Sequence, residues 1–190
     1  MTEKIFEYII IGPPDVGKTS IMTRYLDNMF FNVSYNTIGV DMRTKRLNNF
    51  RYEDTRINIY DTAGQERYFS MTTNFIRNRD CIFLCFSLAN SNSFTECKKY
   101  TEYINNNKKD NACLFLIGTF LDMKDICNNI NRDEIVDLYT KYNYKYMEVS
   151  SKTGEGIREL FDMSLDMMTE LNLGHYKSTN LIVDKINTCC

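Results

Sequence analysis

The chain has 190 residues, a net charge of −2, 25% charged and 43% hydrophobic residues. That length allows one domain with a substantial core plus an extension, and the near-neutral charge leaves no basic footprint for nucleic acid. A single histidine, His175, and seven scattered or terminal cysteines argue against a His-based triad or a Cys/His metal site.

Cys81, Cys85, Cys97 and Cys113 lie in apolar or amphipathic segments, where reduced thiols pack as small hydrophobes, as suits a reducing cytosol. Met1 to Lys4 lead straight into a strand with no signal peptide, Thr2 in place of Gly excludes N-myristoylation, and no apolar run is long enough to span a bilayer.

Phe6 to Ile11 reads as a buried strand and Thr19 to Asp27 as a helix, with Gly12-Pro13-Pro14-Asp15-Val16-Gly17-Lys18-Thr19 between them. A strand, a Gly-bounded loop and a helix start form an anion trap: consecutive N–H groups and the positive end of the helix dipole point at one spot. Lys18 adds a mobile positive charge for the outer phosphates, and the Thr19 hydroxyl is placed to ligate Mg²⁺. A polar and aromatic connection, Asn28 to Gly39, leads to two strand-like stretches, Val40 to Leu47 and Arg56 to Tyr60, which Asn48-Asn49 turns into a hairpin. Asp61-Thr62-Ala63-Gly64-Gln65-Glu66 follows, then a polar segment to Asp80.

Cys81 to Leu88 is an apolar strand. The capping-box spacing of Ser93 and Glu96 predicts a helix running to about Asn107. Leu114 to Ile117 is a further strand, Asn131 caps a helix with Ile135, Leu138, Tyr139 and Tyr142 on one side, and Tyr146 to Val149 is a last short strand. The final helix, from Gly156, places Ile157, Leu160, Phe161, Leu165 and Met168 on one face. The Asn-rich patches, Asn105 to Asn107 and Asn128-Asn129, read as solvated loops. Strands alternating with helices predict a mostly parallel α/β sheet covered on both faces, with ligands at the carboxyl ends of the strands, where each motif falls.

Two residues can complete the Mg²⁺ sphere begun by Thr19: Asp61, holding a metal-bound water, and Thr37, reaching in from the connection. A γ-phosphate and its metal would order that connection, and hydrolysis would release it. Gly64 lets the backbone approach the γ-phosphate, and Gln65 can orient a water for in-line attack.

Gly12 to Thr19, Thr37-Ile38-Gly39-Val40-Asp41, Asp61 to Arg67 and Glu148 to Gly154 together resemble a small GTPase of the Ras superfamily, from Ile5 to about Leu171. The Ile-Gly-Val-Asp run and the terminal Cys189-Cys190 resemble the Rab family most. The resemblance implies a P-loop NTPase three-layer fold, a six-stranded mostly parallel sheet with five helices. A GTP-binding domain would cover residues 1–171, and a flexible tail, 172–190, would end in a prenylation signal at Cys189 and Cys190. It implies a GTP/GDP switch with Mg²⁺ as cofactor. Hydrolysis would be slow, because no residue matches an internal arginine finger. The implied partners are an exchange factor, a GTPase-activating protein, a GDP-dissociation inhibitor or escort protein, effectors, and a membrane held through two lipid chains. The chain would be a monomer acting in vesicle traffic on the cytoplasmic face of endomembranes, with a cytosolic pool.

Carried over by position, Asp15, Val16, Gly17, Lys18, Thr19 and Ser20 would hold the phosphates, and Thr19, Thr37 and Asp61 the metal. Phe30, seven before Thr37, matches the aromatic that packs against guanine. Met42, Tyr60 and Phe75 stand where Rab proteins have the Phe, Trp and Tyr that contact effectors. Tyr35 is one residue out of register with the family's switch tyrosine and stays unassigned.

The guanine motif departs from pattern. Thr119-Phe120-Leu121-Asp122 stands where the family has Asn-Lys-x-Asp. Asp122 would accept from the ring N–H and the exocyclic amine of guanine. Ser150-Ser151-Lys152 resembles Ser-Ala-Lys, with the Ser151 amide on the guanine oxygen and the Lys152 stem over a ring face. Thr119 offers no full amide, a loss of about 1–3 kcal/mol, or about 10- to 100-fold in affinity. Weaker binding, faster release and a retained guanine preference are expected. Pro13 and Pro14 remove two N–H groups, and Pro14 is expected to crowd Gln65 and obstruct an activating protein. These departures motivate an alternative, a catalytically weak GTP-binding membrane adaptor. A metabolic P-loop kinase would leave Gln65 unexplained and has no evident second substrate site.

Overall fold

The computed structural model describes residues 2–32, 37–48, 52–63, 75–126 and 130–178. The elements are β1 (Thr2–Ile11), α1 (Lys18–Asp27), β2 (Val40–Leu47), β3 (Thr55–Thr62), β4 (Cys81–Ser87) and α2 (Ser91–Asn107). Then follow β5 (Cys113–Thr119), a 3₁₀ turn (Leu121–Ile126), α3 (Arg132–Lys141), β6 (Lys145–Glu148), α4 (Ile157–Glu170) and β7 (His175–Ser178). The described residues thus hold four α-helices of the expected five.

The strands lie in the order β2-β3-β1-β4-β5-β6. β2 is antiparallel to β3, as the expected hairpin requires, and β3, β1, β4, β5 and β6 are parallel. Phe6, Tyr8 and Ile10 of β1 join one core layer, and Ile9 and Ile11 the other. Alternate side chains of a strand point to opposite faces, so a strand covered on both sides reads as an unbroken apolar run. β4 repeats the arrangement, with Cys81, Phe83 and Cys85 on one side and Ile82, Leu84 and Phe86 on the other. α1 and α4 close the first layer through Ile21, Met22, Leu160, Phe161, Leu165 and Met168; α2 and α3 close the second through Phe94, Cys97, Ile104, Ile135 and Leu138. Tyr25 stacks flat on Phe161, with ring centroids 3.6 Å apart.

Cys81, Cys85, Cys97 and Cys113 are free and buried, as expected of thiols used for packing. Burial pushes the Cys85 thiol up to about 12 and Cys113 up to about 11, so both stay protonated.

Besides Asn105 to Asn107, read as a solvated loop but found at the end of α2, two features differ from expectation. α2 begins earlier than the Ser93 capping box implies, because Asn90 is the cap and its side chain accepts from Asn92 N at 3.0 Å. The Ser93 hydroxyl donates instead to Asn90 O at 2.6 Å and accepts from Ser87 N at 2.9 Å, tying α2 to the end of β4. The second is a seventh strand. His175–Ser178, read from sequence as part of the tether, pairs antiparallel with Thr2–Ile5. β4 pairs with β1 only from Tyr8 to Ile11, so the first residues of β1 keep an open edge on that side, and β7 fills it. Gly174, at φ 86°, makes the entry: a Cβ there would stand 2.7 Å from Ile5 O.

Candidate functional site

The site is built from loops leaving the carboxyl ends of β1, β3, β5 and β6, which parallel pairing sets side by side. The first loop starts at Gly12 (φ 150°), where an added Cβ would come 2.3 Å from the Cys85 carbonyl oxygen of β4. The backbone therefore lies directly against β4. Gly12→Ala is expected to destabilise the fold by about 3 kcal/mol, the upper range for overpacking; an unchanged chemical denaturation midpoint would contradict this close approach.

Pro13 is buried, whereas Pro14 and Asp15 are exposed. Gly17 takes a left-handed conformation, φ 82°, as the N-cap of α1, and no side chain caps that end. The first N–H groups of α1 are thus left to the loop, the arrangement an anion needs. Lys18, only 6% exposed, donates from Nζ to Gly12 O at 2.9 Å and Pro13 O at 2.6 Å. Burial lowers its pKa, and Asp61, Cys85 and Asp15 act against that shift. A desolvated ammonium spanning the loop is a cation in want of a counter-charge.

Thr19, Thr37 and Asp61 converge. Thr19 Oγ1 donates to Asp61 Oδ2 at 2.5 Å and lies 3.0 Å from Thr37 Oγ1, which donates to the same Oδ2 at 3.3 Å. Asp61 is fully buried, and its other oxygen, Oδ1, has no partner among the described residues. Burial raises its pKa, opposed by the Thr19 bond, Lys18 and Thr37. An unmet buried carboxylate oxygen beside two hydroxyls fits Mg²⁺, a hard cation that takes few protein oxygens and keeps several waters.

Beside the loop, a cleft of about 160 Å³ is lined by Gly17, Ser20, Phe30, Thr119, Phe120 and Asp122, closed by Asn32, Met123, Ser151 and Lys152. Asp122 Oδ1 accepts from the Ser150 hydroxyl at 2.6 Å, and Lys152 Nζ lies 3.9 Å from Oδ2. Ser150 is fully buried and also accepts from Thr153 N at 3.1 Å, so it fixes the carboxylate to the β6 loop. Thr119 reaches the cleft wall, but its hydroxyl is turned into the sheet, donating to Phe86 O at 2.9 Å. Phe120, at φ 57°, lays its ring against Gly17, 3.5 Å from where a Cβ would sit.

Met42, Tyr60 and Phe75 also come together. Met42 is half-exposed and faces Tyr60 across the β2–β3 pair, and the Tyr60 and Phe75 rings are 6.3 Å apart. Ile38, 91% exposed, lies on the chain leading into β2. Gly64, Gln65, Tyr35, Cys189 and Cys190 lie outside the described residues.

Sequence reasoning missed two arginines. Arg24 of α1 donates to Ser151 O at 2.6 Å, Lys152 O at 2.8 Å and Asn28 O at 3.0 Å, clamping the cleft's floor to α1. Arg79 lies 3.7 Å over the Tyr60 ring and pairs with Glu7 at 3.1 Å. Neither carries a local signal, since both act on partners far away in sequence.

The sequence model of the Ras family matches residues 7–170. The chain is 31% identical over 162 residues to the Ras-related protein RabC of Dictyostelium discoideum, spanning 85% of this chain and 82% of that protein. It is 31% identical over 167 residues to the Ras-related protein Rab-3A of Homo sapiens, spanning 87% and 74%. To the GTP-binding protein Rab-3D of Rattus norvegicus it is 29% identical over 167 residues, spanning 87% and 75%.

Proposed function

Since the chain belongs to the Ras family, in its Rab branch, we propose that it is a GTP/GDP switch that hydrolyses GTP slowly alone and faster with an activating protein. In its GTP form it recruits effectors at endomembranes. The observation that carries this reading is the buried Oδ1 of Asp61, without a partner among the described residues, set beside Thr19 and Thr37 and within the field of Lys18.

Lys18 and the uncapped N–H groups of α1 hold the outer phosphates. Thr19, Thr37 and Asp61 would hold Mg²⁺, which when bound neutralises phosphate charge. Gln65 orients the attacking water, and the Gly64 N–H senses the γ-phosphate. Asp122 and the Ser151 amide read guanine between Phe30 and Phe120, with the Lys152 stem along the base. Asp15, Val16, Gly17 and Ser20 complete the nucleotide contacts. The patch of Met42, Tyr60 and Phe75 receives effectors. The adaptor alternative gains no support of its own among the described residues.

No helix among the described residues is long and apolar enough to cross a membrane. Membrane attachment is proposed to come from two prenyl chains on Cys189 and Cys190. With β7 held in the sheet, the length of chain from residue 179 to Cys190 could span at most about 43 Å if fully extended.

The test is direct: denature the purified protein, identify the released nucleotide by chromatography, and follow single-turnover GTP cleavage with Mg²⁺. Bound GDP with slow cleavage supports the switch; an empty site that ignores added GTP refutes it. Arg24→Ala is expected to speed GDP release about tenfold by freeing the Ser151–Lys152 loop, read by stopped-flow release of a fluorescent GDP. Pro14→Ser is expected to raise activator-stimulated hydrolysis, and an unchanged rate would retire the idea that Pro14 obstructs it.

A further inference from the structure

Resting on the guanine-nucleotide reading, we propose that this cleft identifies guanine by its N1–H and N2–H edge and its ring faces, and leaves the N7 edge unread. Guanine offers donors at N1 and N2 and acceptors at O6 and N7. The Asp122 carboxylate, steadied by Ser150, meets the donors. N7 needs a donor in return, and Thr119, three residues before Asp122 on the same cleft wall, has none to give. Its hydroxyl hydrogen is committed to Phe86 O at 2.9 Å, and the residue is 2% exposed.

The neighbouring side chains do not repair this. Phe120 carries no polar atom, and its ring is seated on Gly17. Lys152 Nζ is drawn towards Asp122. Phe30 and Phe120 offer ring faces, and stacking is indifferent to which atom occupies position 7 of a purine. The ligand class is therefore a guanine nucleotide whether or not position 7 can accept a hydrogen bond. Ser20, Asn32 and Ser151 are the other side-chain donors lining the cleft among the described residues, and variants test them.

The experiment is a competition titration on the full chain loaded with a fluorescent GDP, displaced by GDP, 7-deaza-GDP or ADP. In the wild type, 7-deaza-GDP is expected to bind within about threefold of GDP, since one unmade neutral hydrogen bond would cost up to about tenfold. Thr119→Asn, which supplies an amide donor, is expected to tighten GDP alone and open the ratio to about tenfold. If that variant does not fold, the wild-type ratio decides by itself. A wild-type loss of tenfold or more with 7-deaza-GDP overturns the proposal. Should Ser20→Ala, Asn32→Ala or Ser151→Ala then erase that loss, the reader of N7 is identified and Thr119 is not what sets the specificity. Equal competition by GDP and ADP would instead defeat the guanine reading itself, whatever the 7-deaza ratio.

Discussion

Asp122→Asn is expected to cut GTP affinity by about 10⁴-fold, the range by which sites built on paired polar groups reject a mismatched ligand. The carboxylate is the only acidic group lining the cleft among the described residues, and one of its oxygens is held by Ser150 at 2.6 Å. An amide in the same place would turn an NH₂ towards guanine N–H groups and set donor against donor. Xanthine, which carries a carbonyl where guanine carries its amine, would regain the match. Titration with GTP, XTP and ATP reads the outcome: a variant that keeps GTP within tenfold of wild type would remove Asp122 from base recognition. Because Phe120 and Phe30 are untouched, stacking cannot account for the switch from GTP to XTP.

Asp61→Asn is expected to weaken Mg²⁺-dependent retention of GTP by about 10- to 100-fold, the usual penalty for losing a group that holds a metal through its water shell. The same variant is expected to stabilise the nucleotide-free protein, because it replaces a buried carboxylate one of whose oxygens has no partner among the described residues. The pH dependence carries a definite sign. Burial raises the Asp61 pKa in the folded state, so the fold binds this proton more tightly than the unfolded chain does. Stability of the nucleotide-free wild type should then fall as pH rises from the ordinary carboxylate value through the raised one. Mg²⁺ favours the ionised form, so metal-dependent GTP retention should fall as pH drops through that window. Thermal melts with EDTA and with Mg²⁺·GTP measure both slopes, and Asp61→Asn should flatten each of them. A variant that retains GTP as wild type does with Mg²⁺, yet loses it equally with EDTA, would mean the cation sits elsewhere.

The proposed effector patch is assembled by strand register. Met42 faces Tyr60 because β2 and β3 pair antiparallel in that register, and the Phe75 ring lies 6.3 Å from that of Tyr60. Arg79, buried over the Tyr60 ring and paired with Glu7, holds that ring from behind, and its Nε donates to Phe75 O at 2.7 Å.

The amino-acid order by itself determined what is local. An apolar run, a glycine, a lysine and a helix start between Phe6 and Thr19 were enough to mark β1, the loop after it and α1 in the sequence, because each element has its own local pattern, although pairing with β3 and β4 is what holds β1 in the sheet. Doubly covered strands such as β1 and β4 were legible from their unbroken apolar runs. Asp61, Asp122 and Ser150 could be placed at one edge because parallel strands bring their carboxyl ends together. Tertiary structure alone decided where long-range hydrogen bonds go. The turning of the Thr119 hydroxyl to Phe86 spans 33 residues, and the reach of Arg24 to Ser151 spans 127, so neither leaves a periodic trace. The same holds for β7: four residues carry no pattern of their own, and they become a strand only because β4 starts too late to cover the first residues of β1.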